Sequence, residues 1–274
     1  MANPFSYEGR RVVVTGASSG VGAALVDLLV ELGAESITTL DVKEPGRETP
    51  ASVTFVHTDL ADPTSIDGAL QAIAGPVHAL FNNAGVAATL PARVVLSVNY
   101  LGARHLTDGL LDKMPSGAAV ANTASIAGGG WPQHVTDILE LLAIDGWDES
   151  LAWIDAHADL VADPYAFSKE CMQVHTMRSS KATIARGVRT NSVCPGIIET
   201  PLIPDFEATM SRPLLEWTAN QGLGRFATSA EIAAVLAFLG SDASAYMNGT
   251  NLIADSGFSA AMATNQIDFA SLPS

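Results

Sequence analysis

The chain has 274 residues, of which 48% are hydrophobic and only 16% are charged, so a large apolar core is expected and disorder is not. Its 14 Lys and Arg residues stand against 29 Asp and Glu residues, and the net charge of -15 would repel the phosphates of a nucleic acid. An anionic ligand must therefore be held by local backbone dipoles or by a few placed cations.

Cysteine usage and hydropathy predict the setting of the protein. Cys171 and Cys194 are too few for a disulfide framework and form no CxxC pair, so neither disulfides nor a metal site is expected. The apolar runs are too short or too rich in Gly and Ser for a transmembrane helix. We therefore predict a soluble, cytoplasmic protein without a membrane or nucleic-acid partner.

Short β-branched or apolar runs alternate with helical patterns along the chain, which is typical of βαβ units and a parallel sheet. The first run, 11–15, precedes a helix in which Leu25 and Leu29 share one face, and Gly33 ends that helix. The further strand candidates are 36–41, 52–59, 77–82, 118–125, 188–194 and 250–255. No linker or repeat divides the chain, so residues 1–274 are predicted to form a single domain with a doubly wound α/β fold and a seven-stranded parallel sheet.

A glycine-rich loop from Thr15 to Gly22 lies between the first strand and the first helix. Glycines there permit a tight turn and let the backbone approach a pyrophosphate at the helix N-terminus. No Lys-Ser/Thr pair follows them, which excludes a mononucleotide P-loop. The spacing G-x-x-x-G-x-G also differs from the commoner dinucleotide pattern G-x-G-x-x-G.

Acidic residues end the next two strands. Asp41 can bind both hydroxyls of an adenosine ribose and would repel a 2′-phosphate, which favours NAD over NADP. A turn or cap is the alternative for this residue, and nearby Lys43 leaves tolerance for NADP open. Asp59 could accept a hydrogen bond from an adenine amino group or simply form a turn.

Residues 129–162 interrupt the alternation of strands and helices. They contain no Lys or Arg, but seven acidic residues and three of the four tryptophans. Val135 and Ile138 mark one amphipathic helix, and Leu151 and Ile154 mark a second. We predict an inserted helical hairpin, and two interpretations stay open: a solvated hairpin with buried tryptophans, or a wall of a substrate cleft.

Tyr165 and Lys169 are four residues apart and lie on one face of a predicted helix. A phenol whose pKa is near 10 can act as an acid or base only if adjacent positive charge lowers that pKa. Lys169 and an oxidised nicotinamide would both supply such a charge. The pair therefore predicts proton-transfer chemistry beside the dinucleotide.

The motifs together resemble, in order and context, those of the short-chain dehydrogenase/reductase family, which has a Rossmann fold. They are TGASSGVG (15–22), NNAG (82–85), SVNYLG (97–102), TASIAG (123–128), YAFSK (165–169) and PGIIET (195–200). Within the family, the chain is most similar to the bacterial 3α-hydroxysteroid dehydrogenase/carbonyl reductase group, and coniferyl-alcohol dehydrogenases are similar too.

The resemblance implies a role for each residue of the catalytic set. Tyr165 would take the alcohol proton, Ser125 would hydrogen-bond the substrate oxygen, and Lys169 would bind the nicotinamide ribose. Asn99 would hold a helix kink and a relay water. Without the resemblance, Ser125 and Asn99 would be a turn residue and a polar helix residue. The implied cofactor contacts are Gly16, Ser18, Ser19, Gly20, Val21, Gly22, Asp41, Asp59, Leu60, Asn83, Ala84, Gly85, Tyr165, Lys169, Pro195, Gly196, Ile198 and Thr200.

One departure from the family concerns assembly. Ser125 and Tyr165 are 40 residues apart, far more than is usual in the family, and the acidic insert accounts for the excess. In the 3α-hydroxysteroid group such an insert covers the helix with which other members build tetramers. The resemblance therefore predicts a homodimer that uses a different surface.

Residues 201–218 are apolar and contain several prolines, and we predict a substrate flap over the nicotinamide. The alternative is an ordinary pair of surface helices. Arg212 is the one basic residue there, which disfavours an anionic substrate. The expected substrate is an apolar alcohol (steroid-like, cyclic or aromatic) and its ketone or aldehyde. A primary-alcohol dehydrogenase of the coniferyl type and a non-catalytic NAD-binding regulatory protein are the alternatives.

Overall fold

The computed structural model describes residues 3–273 and contains one seven-stranded sheet. The strands are β1 Arg11–Thr15, β2 Ser36–Asp41, β3 Val53–His57, β4 Ala79–Asn82, β5 Ala119–Thr123, β6 Arg189–Pro195 and β7 Asn251–Ala254. Their order is β3-β2-β1-β4-β5-β6-β7, and every neighbouring pair is parallel. The predicted seven-stranded, doubly wound fold is confirmed.

Helices connect the strands and cover both faces of the sheet. They are α1 Gly20–Glu31, α2 Pro63–Ala72, α3 Ala92–Leu96, α4 Gly102–Leu110, α5 Trp131–Leu142, α6 Trp147–Ala156, α7 Pro164–Ile184, α8 Ile203–Met210, α9 Arg212–Asn220, α10 Ser229–Gly240 and α11 Phe258–Ala263. On one face, Leu25 and Leu29 of α1 pack with Leu236 of α10. On the other, Ile66 of α2 packs with Leu106 of α4. Parallel sheets buried on both sides have such apolar strands.

The strand order reverses direction between β1 and β4, which are hydrogen-bonded neighbours. In open α/β sheets this reversal leaves a crevice beyond the carboxyl ends of the strands, where ligands bind. The loops that follow β1, β4, β5 and β6 meet at this edge. The fold thus brings together the segments in which the sequence motifs lie.

Four strands, β3, β4, β5 and β7, are shorter than the sequence predicts. After β3, local hydrogen bonds turn the chain earlier. The predicted strand 52–59 ends at His57, and Asp59 lies in the following turn. The backbone N–H of Asp59 donates to Ser65 Oγ (2.9 Å), and its Oδ1 accepts from the Ala61 N–H (2.8 Å). Side-chain bonds of this kind compete with strand pairing.

Residues 129–162, in which the sequence predicts a helical hairpin, contain the two helices α5 and α6. Helix α5 packs against α7, and α6 packs against α3. Ile138, Leu141 and Ile154 are buried in a cluster that also holds Phe167 and Cys171 of α7. The hairpin therefore has its own apolar core against the outer side of the long helix α7.

Two further sequence predictions concern cysteines and membrane segments. Cys171 and Cys194 are both free and buried, as expected from their number and spacing. Nowhere in residues 3–273 does a helix combine the length and the apolar character needed to cross a membrane.

Candidate active site

A cavity of about 750 Å³ lies at the carboxyl edge of the sheet. Its walls come from the loops after β1, β2, β4, β5 and β6, and from α7, α8 and α11. A volume of this size suits a small-molecule site. Of the acidic residues in the described chain, only Asp41 and Asp59 line it.

The glycine-rich loop has the shape that a close-packed turn requires. Gly16 has a φ of +64°, and a Cβ atom there would lie 2.6 Å from the Ala84 Cα. A Cβ atom on Gly22 would lie 2.0 Å from the Gly16 carbonyl oxygen, so neither position has room for a side chain. Helix α1 then begins at Gly20. Ser19 makes no side-chain cap, which leaves the first N–H groups of α1 available to a phosphate at the cavity wall.

Two predicted cofactor contacts, Ser18 and Gly22, do not line the cavity. The Ser18 N–H donates to Asp41 Oδ2 (3.0 Å), and its hydroxyl donates to the Lys43 carbonyl. Gly22 faces Gly16 instead of the cavity. Both residues stabilise the loop from the side that faces away from the cavity, because a tight turn exposes only part of its backbone on any one side.

Asp41 stands at the end of β2 with its carboxylate fixed by the backbone. Oδ2 accepts from the Ser18 N–H and Oδ1 accepts from the Lys43 N–H, each at 3.0 Å. Carboxylate oxygens can accept further hydrogen bonds, so the group can also bind hydroxyls in the cavity. Lys43 lines the same end of the cavity, as do Asp59 and Leu60.

Thr15 ties the loops after β1 and β4 together. Its Oγ1 accepts from the N–H groups of Asn83 and Ala84, both at 2.9 Å, while Asn83 Nδ2 donates back to the Gly16 carbonyl (3.3 Å). Asn83, Ala84 and Gly85 line the cavity in consequence. The sequence analysis did not single out Thr15 as a site residue, although it opens the glycine motif.

Helix α7 positions Tyr165 and Lys169. It begins with Pro164, and Asp163 caps it by accepting from the Ala166 N–H (3.0 Å). Tyr165 therefore lies in the first turn, and Lys169 lies one turn further on. Lys169 Nζ stands 5.7 Å from the centre of the Tyr165 ring. Both side chains and Ser125, which follows β5, line the cavity.

Lys169 is buried, and its ammonium group has spare donors. Among residues 3–273, Nζ makes one hydrogen bond, to the Thr123 carbonyl (2.9 Å). An ammonium group carries three N–H donors, so two remain for ribose hydroxyls. Burial lowers the pKa of Lys169 to about 8. Spare donors on a buried side chain beside the glycine loop fit a dinucleotide.

The pKa of Tyr165 is raised in the protein alone. Burial is the largest cause of the raised pKa, the nearby Ser125 hydroxyl acts in the opposite direction, and the charge of Asp163 adds to the rise. The lowering of this pKa that the sequence predicts from Lys169 therefore does not outweigh burial. The phenol is protonated at neutral pH and can serve as a proton donor.

Ser125 has a defined hydrogen-bonding role in the loop after β5. Its Oγ accepts from the Ala127 N–H at 3.1 Å. Because this contact uses an oxygen lone pair, the hydroxyl proton stays available for donation into the cavity. Ser125 and Tyr165 both line the cavity although 40 residues separate them in the sequence. The inserted segment starts and ends near the carboxyl edge of the sheet.

Asn99 lies outside the cavity lining, in a π-helical turn, Ser97–Leu101, between α3 and α4. Its Oδ1 accepts from the Val86 N–H (2.8 Å), and its Nδ2 donates to the Val86 carbonyl and to Ser168 Oγ, both at 3.0 Å. The widened turn thus holds the loop after β4 against the start of α7. Single π turns of this kind are frequent at functional sites.

The far end of the cavity is apolar. Phe206 of α8 contacts Tyr165 directly, since the two rings meet edge to face with centres 5.0 Å apart. Met210 and Leu215 line the same region. Arg212 does not, because its guanidinium pairs with Glu207 and Glu216, each at 2.8 Å.

Phe258 and Met262 of α11 complete this apolar end and were missed by the sequence analysis. They are ordinary apolar residues of a short helix, and only the fold brings them to Tyr165. The hairpin residues 129–162, all of which the structure describes, do not line the cavity. The insert therefore does not form a wall of the cleft in this chain.

These features are those of an alcohol-type oxidoreductase with a dinucleotide-binding fold. Comparison with known proteins shows its family. The short chain dehydrogenase model matches residues 10–136, and the enoyl-(acyl carrier protein) reductase model matches residues 157–259. The chain belongs to the short-chain dehydrogenase/reductase family. Residues 137–156, between the two matches, fall within the acidic hairpin.

The relatives differ in substrate and in bound cofactor. The chain is 31% identical over 249 residues to the coniferyl-alcohol dehydrogenase of Pseudomonas sp. (strain HR199 / DSM 7063), covering 90% of this chain and 96% of that protein. The 3-alpha-hydroxysteroid dehydrogenase from Pseudomonas sp. B-0831, complexed with NADH, has a TM-score of 0.75 at 27% identity and covers 94% of this chain and 100% of its own. A proposed NAD(P)-dependent gluconate 5-dehydrogenase from Beutenbergia cavernae, with NADP bound at low occupancy, has a TM-score of 0.74 at 27% identity and the same coverage.

Proposed function

We propose that the protein is an NAD-dependent dehydrogenase that interconverts an apolar alcohol, steroid-like, cyclic or aromatic, with its ketone or aldehyde. The observation that carries the proposal is the meeting of Ser125, Tyr165 and Lys169 at the junction of a polar and an apolar half of one cavity. The polar half is bounded by the glycine loop and Asp41. The apolar half is lined by Phe206, Met210 and Phe258.

Each catalytic side chain has a distinct task in this scheme. Ser125 donates a hydrogen bond from its hydroxyl to the substrate oxygen and stabilises the charge that develops there. Tyr165 exchanges a proton with the same oxygen, as the acid in carbonyl reduction and as the base in alcohol oxidation. When bound, NAD would supply the hydride acceptor and a positive charge that favours the phenolate.

Lys169 binds the nicotinamide ribose through its spare donors and adds positive charge beside Tyr165. Asn99 would then serve the proton path, because its side chain fixes the turn that faces Lys169 across Gly85. A Cβ atom on Gly85 would lie 3.4 Å from Asn99 Oδ1 and 3.6 Å from Lys169 Nζ. A water relay through this gap stays a prediction.

The cofactor preference rests on Asp41. Its carboxylate lies at the ribose end of the cavity and is held by two N–H groups, so it cannot swing away from a 2′-phosphate. The two like charges would repel each other. Lys43 stands beside it and favours the phosphate, but its side chain is long and flexible, whereas the carboxylate is fixed.

Residues 201–218 are proposed to act as the substrate flap. Phe206 packs on the Tyr165 ring, and Thr89 Oγ1 donates to Asp205 Oδ1 (3.4 Å), which ties α8 to the loop after β4. These contacts favour a position of α8 close to Tyr165. A flap in this position would exclude water while hydride is transferred.

Two alternatives use the same site differently. A primary aryl or allylic alcohol of the coniferyl type would also fit the apolar half, and the relative with that activity supports it. A non-catalytic NAD-binding regulator would need the dinucleotide half only. A buried lysine with a lowered pKa beside a phenol and a serine argues for chemistry, because a sensor does not require these groups.

A panel of steroid, monocyclic and aryl alcohols, assayed with NAD, tests the proposal. We expect turnover to be highest for bulky secondary alcohols, because the apolar half is lined by large apolar side chains and carries no charged contact for the substrate. Preference for primary aryl alcohols would support the coniferyl type. No turnover of any apolar alcohol, with NADH still bound, would support the regulator and contradict the proposal.

Assembly as a homodimer stays a prediction, and the hairpin supports it. Helix α5 lies along α7 and buries apolar residues of that helix, so this side of α7 is not free to pack on another subunit. Multi-angle light scattering should give twice the chain mass. A tetramer would contradict the prediction.

A further inference from the structure

Gln173 is a buried polar residue that the proposed reaction does not use. It lies on α7, eight residues after Tyr165, and is 5% exposed. It does not line the cavity. Burying an amide of this size costs free energy unless the amide is hydrogen-bonded, so a hydrogen-bond partner is expected.

The partner of Gln173 is the backbone of the catalytic serine. Its Nε2 donates to the Ser125 carbonyl oxygen at 2.8 Å, a bond that joins residues 48 positions apart. Ser125 itself follows β5 in a turn, where no sheet hydrogen bond holds that carbonyl. The same carbonyl oxygen also accepts from the Gly128 N–H at 3.1 Å within the turn. The amide of Gln173 therefore ties this turn, and the Ser125–Ile126 peptide in it, to α7.

The space around this bond is filled by backbone. A Cβ atom on Gly128 would lie 2.7 Å from Gln173 Nε2 and 2.7 Å from the Lys169 carbonyl oxygen. The turn after Ser125 thus rests directly on α7 between Lys169 and Gln173. A small shift of this turn would move the Ser125 hydroxyl relative to the Tyr165 phenol.

A second set of contacts holds Gln173 from the far side. Asn251 Nδ2 donates to the backbone carbonyl oxygen of Gln173 (3.4 Å), and Asn251 Oδ1 accepts from Ser192 Oγ (2.7 Å). These residues belong to β7 and β6. The turn after Ser125 is therefore connected through Gln173 to strands β6 and β7.

We propose that Gln173 is a positioning residue that acts through Ser125, which it holds at the distance and angle needed for hydrogen bonding to the substrate oxygen. This inference rests on the proposed function, because it assigns Gln173 a part in that reaction. Catalytic groups lose much of their effect when they are displaced by about 1 Å. The amide therefore matters for the rate without touching substrate or cofactor.

The test is a double-mutant cycle between Gln173→Met and Ser125→Ala. Methionine has a similar size and no donor, so kcat should fall about 10- to 100-fold while the Kd for NADH changes less than about twofold. In the Ser125→Ala background, the same replacement should cause no further loss. In a Ser125→Thr background, which keeps a hydroxyl, the loss should persist. Gln71→Met, at an exposed position of α2, is the matched control.

A second variant keeps the test informative where methionine prevents folding. In Gln173→Glu the protonated carboxyl can still donate to the Ser125 carbonyl, whereas the ionised form cannot. Relative to the wild type, kcat of this variant should recover as the pH falls. A pH-independent ratio would overturn the proposal.

Three further results would overturn the proposal. The first is an unchanged kcat in Gln173→Met. The second is an equal loss of kcat on this replacement with and without the Ser125 hydroxyl. The third is a parallel loss of NADH affinity, which would indicate general damage to α7. Failure of the proposed function gives a different pattern. There, the Ser125→Ala enzyme itself would turn over like the wild type.

Discussion

Replacing Tyr165 with Phe should lower turnover by about 10³-fold or more and leave NADH affinity within about twofold of the wild type. The phenol oxygen is the proton donor and acceptor of the proposed reaction, and no other titratable side chain but Lys169 stands at the substrate end of the cavity, as far as residues 3–273 extend. Phenylalanine keeps the edge-to-face contact with Phe206. The loss should therefore be chemical and not structural.

Steady-state kinetics and a fluorescence titration with NADH measure the two effects of this change. Tyr246→Phe is the matched control, since Tyr246 is fully exposed and far from the cavity, and its kcat should not change. Normal turnover in Tyr165→Phe would contradict the mechanism. A loss of NADH binding would indicate that Tyr165 holds the cofactor and would leave its acid/base role without support.

Replacing Asp41 with Asn should shift the ratio of kcat/KM for NAD to that for NADP toward NADP by about 10- to 100-fold. Two unit charges 4 Å apart repel by about 1 kcal/mol in water and by about 4 kcal/mol near a protein surface, and 1.4 kcal/mol is a factor of ten. Asparagine is isosteric and can still accept one of the two backbone bonds. The loop should therefore keep its shape while the repulsion is lost.

The cofactor prediction has a matched control in Glu31→Gln. Glu31 is an exposed acidic residue at the end of α1, outside the cavity lining, so its neutralisation changes the net charge equally but not the local field. Its ratio of NAD to NADP efficiency should equal that of the wild type. Equal efficiencies of the two cofactors in the wild-type enzyme would contradict the role of Asp41.

Much of the fold could be predicted because its signals are local. The buried strand 11–15, the glycine loop and the helix face of Leu25 and Leu29 follow from the spacing of apolar residues and glycines within short windows. The pairing of Tyr165 with Lys169 likewise follows from one helical turn. These features do not depend on which distant segments they contact.

Other parts of the site depend on contacts between segments far apart in the chain. Phe258, Met262 and Gln173 carry no local signal, because an apolar residue in a short helix and a glutamine on a long one are unremarkable in sequence. The raised pKa of Tyr165 was also not predictable, since it results from burial by the surrounding fold. Sequence spacing indicates which groups are neighbours but not how much water reaches them.

The acidic composition is compatible with a dinucleotide because the charges are distributed unevenly. None of the seven acidic residues of the hairpin 129–162 lines the cavity. The anion would be held by the N-terminus of α1 and by Lys169. Local dipoles and one buried cation can bind a pyrophosphate and ribose despite a net charge of -15.

The most direct test of the account is transfer of the carbinol hydrogen itself. An apolar secondary alcohol from the panel, carrying deuterium on its carbinol carbon, is incubated with the enzyme and NAD, and the dinucleotide is examined by mass spectrometry. The account predicts NADH that contains one deuterium in the wild type, and a rate of formation that is reduced by about 10³-fold in Tyr165→Phe. Failure of the wild-type enzyme to form deuterated NADH from any alcohol of the panel, although it binds NADH, would contradict it.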